Sequence, residues 1–309
     1  MSRKLLLLVN PISGKTRVKT DLLGILRIFS DADFVTTVHV TRRSGDATQR
    51  VVDSGREYDV IVACGGDGTL NEVVTGALRI RYEGALGFLP AGTTNDFANS
   101  LGIPKGLLKA AQLIADGEAR ELDFGAFNHL RYFIYIAAFG AFTEVSYTTD
   151  QKMKNLFGHA AYVSEAIARL GDLRKYHVKV NCDGVLYEDD FLFGAAANSL
   201  SLGGVMKLKT DQVDMTDGYH EVILIRNPKT AAEFAQLSTE LLSGNFENKS
   251  VLLFRGKKIT FECDEEIPWC VDGEFAGNFY QAEVQNLHNR LRIFFPAKEQ
   301  ETKKTQLLP

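Results

Sequence analysis

The sequence predicts a Rossmann-like α/β domain followed by a mainly antiparallel β-sandwich domain. Three observations lead there. Apolar, strand-like runs alternate with helical patterns from Lys4 to Gly117. Three glycine-rich loops each follow one of those strands directly. From about Ala119 the helical patterns thin out and one strand-like run succeeds another.

Taken in order, KLLLLVN (Lys4–Asn10) is a short apolar strand and DLLGILRIF (Asp21–Phe29) repeats its apolar residues at helical spacing. FVTTVHVT (Phe34–Thr41) is β-branched, and GDATQRVVDSG (Gly45–Gly55) is helical. YDVIVACGG (Tyr58–Gly66) is a strand, with a helix in LNEVVTGAL starting near Leu70. GALGFLPAG (Gly84–Gly92) is a strand, and NDFANSLG and GLLKAAQLIADG are helices. This alternation builds an open, mostly parallel sheet whose ligands sit beyond the carboxyl ends of the strands. All three glycine loops fall at that edge.

The second part reads as strands: ARELDFGAF, RYFIYIAAFGAF as one run, YHVKVNCDGVLYEDDFLFGAAAN with a hairpin turn at Cys182-Asp183-Gly184, YHEVILIR, SVLLFRGKKITFEC, PWCVDGEF and NRLRIFFP. Helical patterns interrupt it at about Asp150–Leu173 and Thr230–Ser243. The expected domains are 1–125 and 126–289. The last strand, about 290–300, is free to return to either, and the polar tail 298–309 is expected to fray.

Composition narrows the function. The chain has 309 residues, 45% of them hydrophobic, which is ample for a core, and a formal net charge of −4. That balance gives no basic footprint for a nucleic-acid partner. Leu5–Val9 is too short to span a bilayer, and no uncharged apolar run approaches the ~20 residues a spanning helix needs. Cys64, Cys182, Cys263 and Cys270 form no C-x-x-C pair, as expected of reduced thiols in a cytoplasmic protein.

The loops carry the chemistry. The first, NPISGKTR, ends like a P-loop at Gly14-Lys15-Thr16, but Val9 stands where that pattern needs its first glycine. It is either a Pro11-Ser13-Gly14 turn after Asn10 or a set of backbone N–H groups aimed at phosphate with Lys15 beside them. The second, Cys64 to Val73, packs Gly65, Gly66, Asp67, Gly68, Thr69, Asn71 and Glu72 in front of a helix. Glycine there permits close approach of a ligand to the backbone, and a helix N-terminus attracts phosphate. A carboxylate at Asp67 beside phosphates implies a cation between them, most naturally Mg²⁺; otherwise Asp67 or Thr69 caps the helix. The third, LPAGTTNDFA, offers Gly92, Thr93, Asn95 and Asp96 to a nucleotide, or Thr94 or Asn95 as an N-cap.

NPISG, GGDGTLNEVV and PAGTTNDFA together resemble the signature blocks of the diacylglycerol kinase catalytic family, which includes bacterial soluble lipid kinases and the sphingosine and ceramide kinases. GGDGT alone is shared with NAD kinases. The resemblance implies an ATP- and Mg²⁺-dependent transfer of phosphate to a lipid hydroxyl, with diacylglycerol the leading acceptor. It implies nucleotide contacts along Asn10–Gly14, Gly66–Glu72, Thr93 and Thr41, and acidic positions at Asp96 and Asp123 that extend a water network from the metal. DMTDGYHEVIL is similar to a block holding a structural Mg²⁺, with Asp217 as ligand and Asp214 and Tyr219 through backbone carbonyls; Asp67 would orient Mg²⁺ through water. WCVDGEF is similar to the catalytic Asp-Gly-Glu block, giving Asp272 or Glu274 as base, with Asp272 favoured. The plain reading of both blocks is a β-turn. A lipid substrate implies transient contact with a membrane surface, for which Lys152, Met153, Lys154, Leu156 and Phe157 are the candidates, and the resemblance is compatible with a homodimer. An NAD kinase, or a nucleotide-sensing protein without catalysis, are the alternatives.

Overall fold

The computed structural model describes residues 2–14, 17–129, 131–141, 174–199, 201–202, 206–207, 214–230, 232–233, 236–237 and 250–296. Lys15, the membrane-facing candidates from Lys152 to Phe157, the first helical interruption and the tail from 298 lie outside them.

The first half is a parallel sheet covered by helices on both faces. β1 (Arg3–Val9) pairs in parallel with β2 (Phe34–Val40) and β3 (Val60–Gly65), and β3 with β4 (Ala85–Pro90). Leu5, Leu6, Leu7 and Leu8 are all fully buried, which a strand achieves only when both faces are covered. The cover is α1 (Arg17–Asp31), α2 (Asp46–Ser54), α3 (Asp67–Arg79), α4 (Asp96–Leu101) and α5 (Leu107–Asp116). α3 begins at Asp67, three residues before the start that the apolar pattern suggested. Gly66, in an extended conformation (φ −91°, ψ −175°), is its N-cap, so the polar residues 67–69 are already helical.

The second half is antiparallel. It comprises β5 (Ala119–Phe127), β6 (Arg131–Phe133), β7 (Ile136–Gly140), β8 (Tyr176–Cys182), β9 (Val185–Ala197), the short pair β10 (Ser201–Leu202) and β11 (Met206–Lys207), β12 (His220–Arg226), β13 (Val251–Gly256), β14 (Lys258–Val271) and β15 (Glu274–Phe294). β9 and β14 are long strands that change partners. Their hairpin-proximal parts pair with β8, and their later parts pair with β7, folding the sheet over on itself. The enclosed core is aromatic. Trp269 lies 5.1 Å from Phe127, 5.1 Å from Phe139 and 5.0 Å from Phe261 between ring centroids. Asp183 (φ 49°) and Gly184 (φ 95°) make the turn expected between β8 and β9, and Asp183 also accepts hydrogen bonds from the Lys257 and Lys258 amides.

Two features differ from the sequence expectation. RYFIYIAAFGAF is broken at Ile134–Tyr135 into β6 and β7, because a buried carboxylate takes the amides of residues 134–136 (below). The halves are also not separate sheets. β15 pairs with β14, then with β5, and finally in parallel with β4 at Arg292 and Ile293, joining both into one hydrogen-bonded network of thirteen strands among the described residues.

Replacing Phe139 with alanine removes a ring that touches Trp269 and Phe261. The expected loss is about 3–5 kcal/mol. Trp269 is the only tryptophan, so its fluorescence during denaturant unfolding reports on this core, and an unchanged midpoint would contradict the packing described.

Candidate active site

The three glycine loops meet at the carboxyl edge of β1, β3 and β4, and they meet through bare backbone. A Cβ on Gly92 would lie 2.7 Å from the Gly66 Cα. Gly14 is left-handed (φ +57°), and a Cβ there would lie 2.7 Å from the Ala91 carbonyl oxygen. These glycines serve the contact of one loop with another. Gly65 is filled by Thr69, whose side chain would clash with any Cβ. Gly68 differs, since a Cβ there would have nothing within 4 Å. It sits in the first turn of α3, at the positive end of the dipole, where the Thr69 and Leu70 amides donate to the Gly66 carbonyl and those of Asp67 and Gly68 have no helical carbonyl to reach. The open backbone that remains is narrower than the glycine count suggested.

Polar side chains lock the loops together. Asn10 Nδ2 donates to Thr69 Oγ1 at 3.1 Å, and the Ile12 amide donates to Asn10 Oδ1 at 3.0 Å, while Pro11 is exposed and Ser13 half-buried. Thr41 returns to the first loop, with its amide donating to the Val9 carbonyl at 2.9 Å. Asn95, left-handed at φ 49°, holds Gly92 reciprocally. Its Oδ1 accepts the Gly92 amide at 2.9 Å and its Nδ2 donates to the Gly92 carbonyl at 2.8 Å. Asn95 occupies the N-cap position of α4 without capping it. That task falls to Asp67, which accepts the Asp96 amide at 3.0 Å and the Phe97 amide at 3.3 Å. Asp96 stands in the first turn of α4, and Thr93 is exposed. Burial, with the Asp96 charge assisting, pushes Asp67 up to about 6. Glu72 is engaged elsewhere: it accepts the Gly45 amide at 2.8 Å and the Ala47 amide at 3.1 Å, capping α2.

Asn71 reaches across to the β domain. Its Nδ2 donates to Asp272 Oδ2 at 2.7 Å and to the Tyr132 carbonyl at 3.0 Å. Asp272 and Gly273 (φ 49° and 83°) form the tight turn between β14 and β15, matching the two left-handed positions of a type I′ hairpin. The Asp272 carboxylate also accepts the amides of Ile134 at 2.8 Å, Tyr135 at 3.1 Å and Ile136 at 3.1 Å. Burial raises its proton affinity to about 7 against the opposing pull of those four donors. Glu274, two residues on, is exposed.

A second junction lies at Asp123, which is completely buried. Its carboxylate accepts the Gly218 amide at 2.6 Å and the Asn289 amide at 3.1 Å, and bonds the His288 ring at 2.8 Å. It thereby holds the turn carrying Asp214, Asp217 and Tyr219. In that turn Asp217 accepts the Tyr219 amide at 3.0 Å and pairs with Arg255 at 3.1 Å, while Asp214 accepts from Thr216. Among the described residues no three His, Cys, Asp or Glu side chains are grouped as a metal cage. Glu221 lies beside the turn, its buried carboxylate 3.5 Å from the Arg255 guanidinium, and burial raises it to about 8. The sequence signalled the Asp-Gly turns. It carried no sign of the bend at 134–136, of Arg255 or of Glu221.

Known proteins resemble this chain in sequence and fold. Residues 4–127 match the model of the diacylglycerol kinase catalytic domain, and residues 136–294 match that of the YegS C-terminal NAD kinase beta sandwich-like domain. A diacylglycerol kinase of Bacillus subtilis (strain 168) is 34% identical over 298 residues, covering 96% of this chain and 97% of that one. The chain belongs to the diacylglycerol kinase catalytic domain family. A diacylglycerol kinase of Staphylococcus carnosus (strain TM300) is 32% identical over 313 residues, across 100% of this chain and 99% of its own. A crystal structure from Bacillus anthracis str. Sterne superimposes with a TM-score of 0.80 at 25% identity, over 95% of both chains. As a kinase of this family the chain uses ATP, and no helix among its described residues is long and apolar enough to cross a membrane.

Asp67 and Asp272 set a pH dependence. Both have folded-state affinities raised from 3.8, to about 6 and about 7. Between those limits the folded chain holds more protons than the unfolded chain, so stability falls as pH rises from about 4 to about 7. Chemical unfolding across that range should show this decline, flattened at its upper end in Asp272→Asn. An Asp272→Asn profile parallel to the parent would contradict the assignment.

Proposed function

We propose that this kinase transfers the γ-phosphate of ATP to the free hydroxyl of diacylglycerol, yielding phosphatidic acid. One observation carries the reading: the 2.7 Å bond from Asn71 to Asp272 brings the Asp272-Gly273-Glu274 turn against α3 one turn in from its N-terminus, beside the proposed phosphate cradle. A phosphoryl donor and an activated alcohol need that proximity. The curated relatives named diacylglycerol kinase support the choice of acceptor. Approach to a membrane surface follows from a lipid acceptor.

The base is Glu274 rather than Asp272. A general base must have a lone pair free to receive the proton. Asp272 already accepts four hydrogen bonds, two at each oxygen. Its work is to position the turn and the 134–136 bend. Glu274 is exposed beside it and takes the proton as the alcohol oxygen bonds to the γ-phosphorus and the bond to the ADP oxygen breaks. The amides at the start of α3, with Asn10, Ser13, Gly14 and the Thr93 hydroxyl, hold the phosphates, while Asp67, Asn95 and Thr69 hold the loops in register. Lys15 belongs to the same loop by sequence.

The Asp214–Tyr219 turn suits a hard divalent cation. Asp217 supplies a carboxylate, and the Asp214 and Tyr219 carbonyls are main-chain oxygens, the donor set a hard cation prefers. Mg²⁺ there would brace the turn that Asp123 holds. Mg²⁺ bound with ATP supplies charge neutralisation on the phosphates.

Incubation with labelled ATP and a panel of mixed-micelle diacylglycerol, other lipid alcohols and NAD tests the acceptor, with phosphatidic acid the expected product. Labelling of NAD alone would refute the reading. Glu274→Gln should lower kcat by about 10²–10⁴-fold without lowering the melting temperature. Full activity in that variant would return the role of base to Asp272.

A further inference from the structure

The bend that Asp272 clamps carries a tyrosine whose hydroxyl is bonded to no described residue. Tyr135 is fixed at both ends of its main chain. Its amide donates to Asp272 at 3.1 Å, and its carbonyl accepts the Asn198 amide at 2.9 Å. The ring is packed into the core, and the residue is only 8% exposed. The hydroxyl nevertheless makes no hydrogen bond to any described residue. It lies over the catalytic turn, 3.4 Å from where a Cβ on Gly273 would stand. With its ring buried and its main chain fixed, the phenol can open only toward the cleft, where a ligand oxygen can take the place of water.

We propose that the Tyr135 hydroxyl is a catalytic donor, hydrogen-bonding an oxygen of the phosphoryl group as it passes from ATP to the lipid alcohol. The proposal rests on the lipid kinase reading above. The chemistry follows from the surroundings. Burial and the Asp272, Asp67 and Asp96 carboxylates hold the phenol in its protonated form, well above its ordinary range. It is therefore a donor and neither a base nor a nucleophile. Transfer spreads negative charge over the phosphoryl oxygens, and a fixed donor aimed at them lowers the barrier. A neutral hydroxyl can do this among three carboxylates without adding charge of its own. Donation to the acceptor oxygen instead would withdraw the lone pair that attacks phosphorus. Tyr135 keeps its proton throughout, and Glu274 receives the one released.

The test is Tyr135→Phe in the full chain, which deletes one oxygen. With ATP, Mg²⁺ and diacylglycerol micelles, kcat should fall roughly ten- to hundredfold, the worth of a hydrogen bond to a charged group. KM for ATP and for lipid should change little, and the melting temperature and the pH profile should stay as in the parent. An unchanged kcat overturns the proposal. So does a loss confined to the lipid KM, which would place the hydroxyl on the lipid. A parent chain that phosphorylates no lipid alcohol would instead defeat the functional reading, and this proposal with it, an outcome separate from an active parent with an equally active variant.

Discussion

The site depends on a single carboxylate. Asp272 sits in a two-residue turn and gathers the amides of Ile134, Tyr135 and Ile136 together with the side chain of Asn71. Those donors come from the bend between β6 and β7 and from α3. Without an acceptor at that point, three buried amides and one side-chain amide would be left unpaired, each costing about 1–3 kcal/mol. Burial makes the charge unfavourable, and four hydrogen bonds answer it. The balance fixes the Asp272-Gly273-Glu274 turn and the N-terminal part of α3 at one place.

The opposite wall is built from contacts between loops. Asp67 in the second loop caps the helix that follows the third. Asn10 in the first binds Thr69 in the second, and Gly14 packs on Ala91. The same residue types that make a nucleotide site thus also make the scaffold beneath it. Small polar side chains that accept main-chain N–H bonds hold irregular backbone rigid, and that rigidity leaves a few donors facing outward.

Much of this could be read from the amino acids. The parallel half was legible because strand and helix periods differ and alternate cleanly from Lys4 to Gly117. The hairpin turns at Asp183-Gly184 and Asp272-Gly273 were legible because few residue pairs accept two left-handed positions. The start of α3 was misplaced because Gly66 caps it without any side-chain signal. The break in RYFIYIAAFGAF was invisible because its cause, Asp272, lies some 137 positions away in sequence. Glu72 looked like a nucleotide contact from its place in the loop, yet its carboxylate caps α2, a helix that precedes it. Asp272 and Glu274 were likewise alike in sequence, and only the hydrogen bonds show that Asp272 accepts from four donors while Glu274 is exposed.

β15 leads from the Asp272-Gly273 turn to the nucleotide sheet, pairing with β14, then β5, and after an irregularity at 288–290, where Asn289 is left-handed, with β4. A strand shared in this manner makes each half part of the other's ladder, so the β domain cannot be unravelled without stripping bonds from the nucleotide sheet.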